Sequence, residues 1–110
     1  MIVVNTEFVP GMQIVQMKGL VQGSTVRAKH IGRDIVAGLK NLVGGELKGY
    51  TELLNESRAE STQRMIAQAT KLGANAVINV RFATSSVTAG ASELFCYGTA
   101  VVLQPLQHQE

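Results

Sequence analysis

The stretch 94–103 constrains the fold of this chain more than any other, because it is apolar on both faces of a strand. Leu94, Cys96, Ala100 and Val102 alternate with Phe95, Tyr97, Val101 and Leu103. Successive strand side chains point to opposite sides of a sheet, so both sides of this one must be covered. A single helical layer covers one of them, and a neighbouring subunit is the economical cover for the other. The chain is long enough to build such a core alone. With 110 residues, 45% of them hydrophobic, it should bury roughly two-thirds of the surface its unfolded form exposes, with no disulfide or metal staple. This reads as one domain over residues 1–103, followed by a polar, proline-bearing tail at 104–110 that is expected to be flexible.

Upstream, hydrophobic spacing divides the chain. Ile2-Val3-Val4 begins a short strand or arm that ends at the turn-forming Pro10-Gly11. From Met12 to Ala28 the apolar residues Ile14, Val15, Met17, Leu20, Val21 and Val26 are interrupted by Gly19, Gly23 and Ser24. A glycine inside a strand pattern marks a bulge or a close backbone approach, so this reads as a bent strand or two strands meeting at the glycines. Ile31, Ile35, Leu39 and Leu42 then recur at helical spacing up to Gly44-Gly45. A longer helix is predicted over 50–72, closed by Gly73, with Tyr50, Leu54, Ser57, Ser61, Met65, Ala69 and Leu72 on one face. The next strand, from Ala76, places Ala76, Ile78, Val80 and Phe82 on one face, and a turn near Gly90 joins it to 94–103 as a hairpin. The expected class is α+β, a mainly antiparallel sheet packed on the long helix.

Composition excludes several functions. Ten basic and eight acidic residues, spread along the chain, leave a net charge of +2 and no charged block to follow a phosphate backbone or an anionic membrane. No apolar run approaches the ~20 residues of a membrane span, and MIVVNTEFVP lacks the features of a signal peptide. One cysteine cannot form an internal disulfide and suits a reducing compartment, so a cytoplasmic location is expected.

Catalytic chemistry has few footholds. Cys96 lies mid-strand, where a thiol behaves as a small hydrophobe. Val43-Gly-Gly-Glu-Leu47 could form a backbone anion nest but lacks the lysine and the spacing of a P-loop and reads as a helix stop. His30 and Asp34 stand four apart, on one face if the helix starts by His30, and with Cys96 they are the candidate metal ligands. Two ligands do not close a site, but one per subunit around a symmetry axis would form a ring. Such a ring repeats one ligand type and matches tetrahedral geometry poorly, so no tight, stoichiometric zinc or copper site is expected within the folded core. Arg33, Asp34, Glu46 and Tyr50, polar residues amid apolar sequence, are the candidate ligand-binding residues. Their alternative reading is capping and pairing between the two helices.

Three separated motifs, in order, resemble a known family. The run Ile31-Gly-Arg-Asp-Ile-Val-Ala-Gly-Leu-Lys-Asn-Leu-Val-Gly-Gly-Glu-Leu-Lys-Gly-Tyr50, the helix end Ala67-Gln-Ala-Thr-Lys-Leu-Gly-Ala-Asn-Ala-Val-Ile78 and Tyr97-Gly-Thr-Ala-Val101 are similar to the YbjQ family of small bacterial and archaeal proteins. The likeness spans nearly the whole chain from Thr6 to Leu103. It implies a β-α-β-β, dodecin-like subunit assembling into rings, commonly pentamers, and a domain labelled as heavy-metal-binding with no established physiological role. Where members often carry an acid after the strand that follows the long helix, this chain has Ala83, and Ser61 replaces a small apolar residue.

Two functional classes follow. The first is a homo-oligomeric binding or structural module that takes a metal or small ligand at its subunit interfaces. The second is an enzyme with a composite active site at such an interface.

Overall fold

The computed structural model describes residues 1–27, 48–88 and 91–107. The predicted helix at Ile31 to Leu42 lies outside them. In chain order the elements are β1 (Ile2–Val3), β2 (Met12–Arg27), α1 (Lys48–Lys71), β3 (Ala76–Thr88) and β4 (Ala91–Pro105). They form a sheet of order β1-β3-β4-β2 with α1 against one face. The class is α+β, as expected. The sheet is mixed, because β1 runs parallel to β3 while β3–β4 and β4–β2 are antiparallel. No helix among the described residues is long and apolar enough to cross a membrane.

The glycine interruptions in β2 turn out to do two different jobs. The register against β4 slips between Ile14 and Gln16 and again between Met17 and Gly19, and Gly19 takes φ +120°. These bulges bend one continuous strand. Gly23, by contrast, makes room for the helix. A methyl group there would fall on the Ser61 carbonyl oxygen and lie 2.5 Å from the Met65 nitrogen and 2.9 Å from Arg64 Cβ. Small residues on both surfaces therefore let α1 sit close to the strand.

The helix begins within two residues of its predicted start and ends in a Schellman motif. Gly73 adopts φ +82°, its N–H donates to Thr70 O at 3.0 Å, and the Ala74 N–H donates to Ala69 O at 3.1 Å. This satisfies carbonyls that would otherwise be orphaned. The buried stripe is Ser57, Ser61, Met65 and Ala69, all four apart, whereas Leu72 is exposed past the end of the sheet contact. The Ser61 hydroxyl, buried against the sheet, donates to Arg58 O at 3.0 Å and so is satisfied within the helix. Met65 and Ala69 meet Val21, Val77, Val80, Cys96 and Ala100 in the core between helix and sheet.

The alternation along β3 departs from expectation. Asn79 has φ 55°, and the register against β4 slips between Ile78 and Arg81. One extra residue reverses the faces beyond it. Val80 consequently joins Val77 beneath α1, while Ala76 and Ile78 face the other way. Asparagine tolerates this left-handed conformation better than a β-branched residue would.

The second face of β4 also has a cover that sequence spacing did not suggest. Ala76, Ile78, Val101 and Leu103 form a second buried cluster against Val4 and Val9 of the chain's own N-terminal arm and Met12 at the start of β2. A neighbouring subunit is thus not needed at this end of the sheet. β4 itself runs two residues past the predicted Leu103, with Gln104 and Pro105 opposite Gln13 and Met12, and the Leu106 N–H donates to Gly11 O at 2.9 Å.

Asn75 fastens this end. Its side-chain amide accepts from the Leu103 N–H at 2.7 Å and donates to the Leu103 carbonyl at 2.9 Å, extending the ladder by one residue. Asn75→Ala leaves both Leu103 groups without these partners in a partly buried setting. The expected cost is about 1–3 kcal/mol, read from urea unfolding. A change under about 0.5 kcal/mol would mean that water replaces the amide freely.

Candidate functional site

Cys96 projects from β4 into the core under α1 and is fully buried among apolar side chains. A metal ligand needs a reachable thiolate and companions. Among the described residues no three His, Cys, Asp or Glu side chains converge, so the surroundings of Cys96 do not fit a metal centre. His30, Arg33, Asp34 and Glu46 lie outside the described residues. Tyr50 belongs to the first turn of α1, and its side chain also lies outside them. The structure therefore does not place these five candidates together.

What the described residues do build are two surfaces, and the first is a groove. The arm rises alongside β3 until the Asn79 bulge and then turns away. The Val4 N–H donates to Val77 O at 3.0 Å, the Val80 N–H to Val4 O at 3.0 Å and the Asn79 N–H to Thr6 O at 2.9 Å. Where the arm leaves, an open groove of about 590 Å³ is lined by Val3, Val4, Asn5, Thr6, Val80, Arg81 and Phe82. Arg81 holds its wall, with Nη1 donating to Asn5 O at 2.7 Å and to Val80 O at 3.0 Å. Thr6 Oγ1 steadies the turn through Phe8 O at 2.8 Å. The lining offers apolar surface, backbone groups and one guanidinium, but no carboxylate, thiol or imidazole to act as acid, base or nucleophile. It suits an extended segment better than a reacting substrate. Sequence reasoning missed it, although a lone arginine between Val80 and Phe82 in an apolar strand was a signal worth following.

The second surface is the sheet face away from α1. Residues directly opposite in an antiparallel pair share a face. Ile14 opposite Leu103, Met17 opposite Val101, Leu20 opposite Thr99 and Tyr97 opposite Gln22 therefore line one side. The arm covers its lower end. Above the arm, Met17 and Leu20 remain 69% and 72% exposed, with Tyr97 exposed beside them and the Phe95 ring 5.8 Å from that of Tyr97.

The helix also guards part of β2, which is an outer strand of the sheet. Gln68 Oε1 accepts from the Gln22 N–H at 2.7 Å, and Arg64 Nη1 donates to Ser24 O. Arg64 is itself held by Glu60, four residues earlier, at 2.6 Å. Two side chains one helical turn apart thus satisfy two strand groups that would otherwise face solvent.

Comparison with known proteins places the chain in a wider set. The family model described as "Putative heavy-metal-binding" matches residues 1–104. The chain is similar to a UPF0145 protein of Hahella chejuensis, 66% identical over 104 residues that cover 94% of this chain and all of the relative. A UPF0145 protein of Archaeoglobus fulgidus is 57% identical over 103 residues, covering 94% of this chain and 95% of its own. Among solved structures, a protein of unknown function from Pediococcus pentosaceus, described as a member of the DUF74 family, superposes with a TM-score of 0.62 at 16% identity. The match covers 94% of this chain and 98% of the other. At that identity the likeness concerns the fold alone.

Proposed function

The chain belongs to the YbjQ family, and on that premise we propose that it is a non-catalytic, self-assembling module: a cytoplasmic homo-oligomer, closed into a five-membered ring, that holds a small ligand or a metal ion between its subunits. The observation that carries this reading is the apolar stripe of Met17, Leu20 and Tyr97 on the sheet face opposite α1. Side chains this exposed and this close together mark an interaction surface. The shape of the subunit supports the same reading. Its radius of gyration is 18.1 Å, against roughly 13 Å for a compact chain of this length. Strands of 16, 13 and 15 residues form a sheet too long for the arm to cover. The five-fold count follows the family resemblance.

A ligand site between subunits fits the chemistry of the groove and of Cys96. The groove lining has no catalytic group, and Cys96 is sealed in the core. Among the described residues no single copy brings three metal donors together, which fits a metal held between copies. Size-exclusion chromatography with light scattering is expected to give a mass near five times the 11.8 kDa of the chain. Native mass spectrometry of protein taken directly from cells then shows whether a ligand travels with the assembly. A stable monomer at micromolar concentration would overturn the reading.

A further inference from the structure

We propose that residues 1–10 form a hinged strap, latched to β3 by Arg81, which opens as a unit and uncovers the second core cluster while the helix-facing core stays folded. This goes beyond the self-assembly reading and does not depend on it.

The strap has little burial of its own. None of residues 1–10 is fully buried, and Ile2 and Phe8 are exposed. Its strand, β1, is two residues long and pairs with β3 at Ala76 and Val77. Yet beneath it Ala76, Ile78, Val101 and Leu103 are sealed from solvent, with Val4 and Val9 packed over them. This cluster lies on one side of the sheet, and the cluster under α1 lies on the other. Among the described residues, Val3 is the part of the strap that reaches the helix side. A segment with few buried contacts opens at a lower free energy than the core it covers. Lifting the strap therefore leaves Met65, Ala69 and Cys96 packed against one another.

The hinge is at the strap's lower end. Gly11 takes φ +80°, and among the described residues nothing lies within 4 Å of the place a side chain would occupy. Its carbonyl accepts from the Leu106 N–H at 2.9 Å, which ties it to the end of β4. Proline fixes its own φ, so rotation is left to Pro10 ψ and Gly11 φ, the bonds just before that anchor. Hinges of this kind need only a few residues to absorb the change.

The latch is at the other end, where the strap turns at the Asn79 bulge. Arg81 Nη1 donates to Val80 O at 3.0 Å on its own strand and to Asn5 O at 2.7 Å on the strap. The first bond fixes the guanidinium, and the second grips the strap with the strength of a charged donor. The Asn79 N–H, turned outward by φ 55°, donates to Thr6 O at the next residue of the strap. Closed, the strap leaves the apolar face exposed from Ile14 upward. Open, it extends that face to Val101 and Leu103, the residues opposite Met17 and Ile14. The fold thereby controls how much apolar surface this side presents.

Amide hydrogen exchange in the wild type and in Arg81→Ala tests the strap. The N–H groups of Ile2, Val4, Asn79 and Val80 all bond across the line between strap and sheet. In the wild type these four are expected to exchange together, about 100-fold or more faster than the Met65 and Ala69 amides of α1. Arg81→Ala is expected to speed the four by about 10-fold, through loss of one hydrogen bond from a charged group. Met65, Ala69 and, beyond the hinge, Leu106 are expected to keep their wild-type rates. Strap amides that exchange as slowly as those of α1, or each at its own rate, would overturn the proposal. So would a folded variant with unchanged strap rates, because Arg81 would then not be the latch. Acceleration of Met65 and Ala69 together with the four would mean that Arg81 supports the whole fold, and acceleration of Leu106 that the sheet end frays without a hinge. Either result overturns it. If the variant does not fold, the wild-type rates alone decide.

Discussion

Gly23→Ala is expected to lower stability by about 3 kcal/mol or more, the upper end of what overpacking a tight contact costs. The strand conformation is not the difficulty, because Gly23 is absent from the positive-φ glycines. The difficulty is what a methyl group would strike: the Ser61 carbonyl, the Met65 nitrogen and Arg64 Cβ, which are parts of the helix that cannot rotate aside. α1 must lift as a body, and the core beneath it loosens together with the Gln68 and Arg64 contacts to β2. Urea unfolding at fixed protein concentration, wild type beside variant, measures the loss. Fixed concentration matters because the proposed self-association would add to apparent stability by mass action. A loss below about 1 kcal/mol would show that the helix has room to shift.

The second large effect is expected from Met65→Ala. Among the described residues Met65 is the largest fully buried side chain, and it belongs to the helix-facing core. The rest of the buried helical stripe is Ser57, Ser61 and Ala69, so Met65 is its one large apolar side chain among the described residues. Truncation removes that area and leaves a cavity, and the neighbours Ala69, Cys96 and Ala100 are too short to fill it. A cost of about 3 to 5 kcal/mol is expected, within the range for large-to-small changes in cores. Met65→Leu, which nearly conserves volume, should cost less than about 1.5 kcal/mol. Equal losses for the two variants in urea unfolding would mean that sulfur contacts, and not volume, hold the helix down.

Both residues show how much of the candidate surface could be read early. Helical spacing placed Met65 on the predicted inner face together with Ser57, Ser61 and Ala69, and the structure buries all four. Gly23 was recognisable as special, but bulge and close approach look alike in a strand pattern. Only the position of α1 separates them. The functional surfaces were harder still. Exposed Met17 and Leu20 read as ordinary strand residues, and nothing near them announces that the arm stops short of covering them. The arm itself was seen as a short strand, and its path across the second sheet face depends on partners more than 70 residues away, such as Ile78 and Leu103.

By itself the sequence determined the α+β class, the long helix with its glycine stop, the β3–β4 hairpin, the burial of Cys96 and the family. Each of these rests on a local signal: a period of two or of 3.6, a left-handed glycine, or a motif of adjacent residues. Tertiary structure alone decided that Asn79 would reverse the faces of β3, that the arm would cover one end of the second face, and that Arg64 and Gln68 would guard β2. These are outcomes of which strand lies beside which. A backbone N–H has the same chemistry in every residue, so the sequence does not mark which of them find partners, and only the assembled sheet makes that choice.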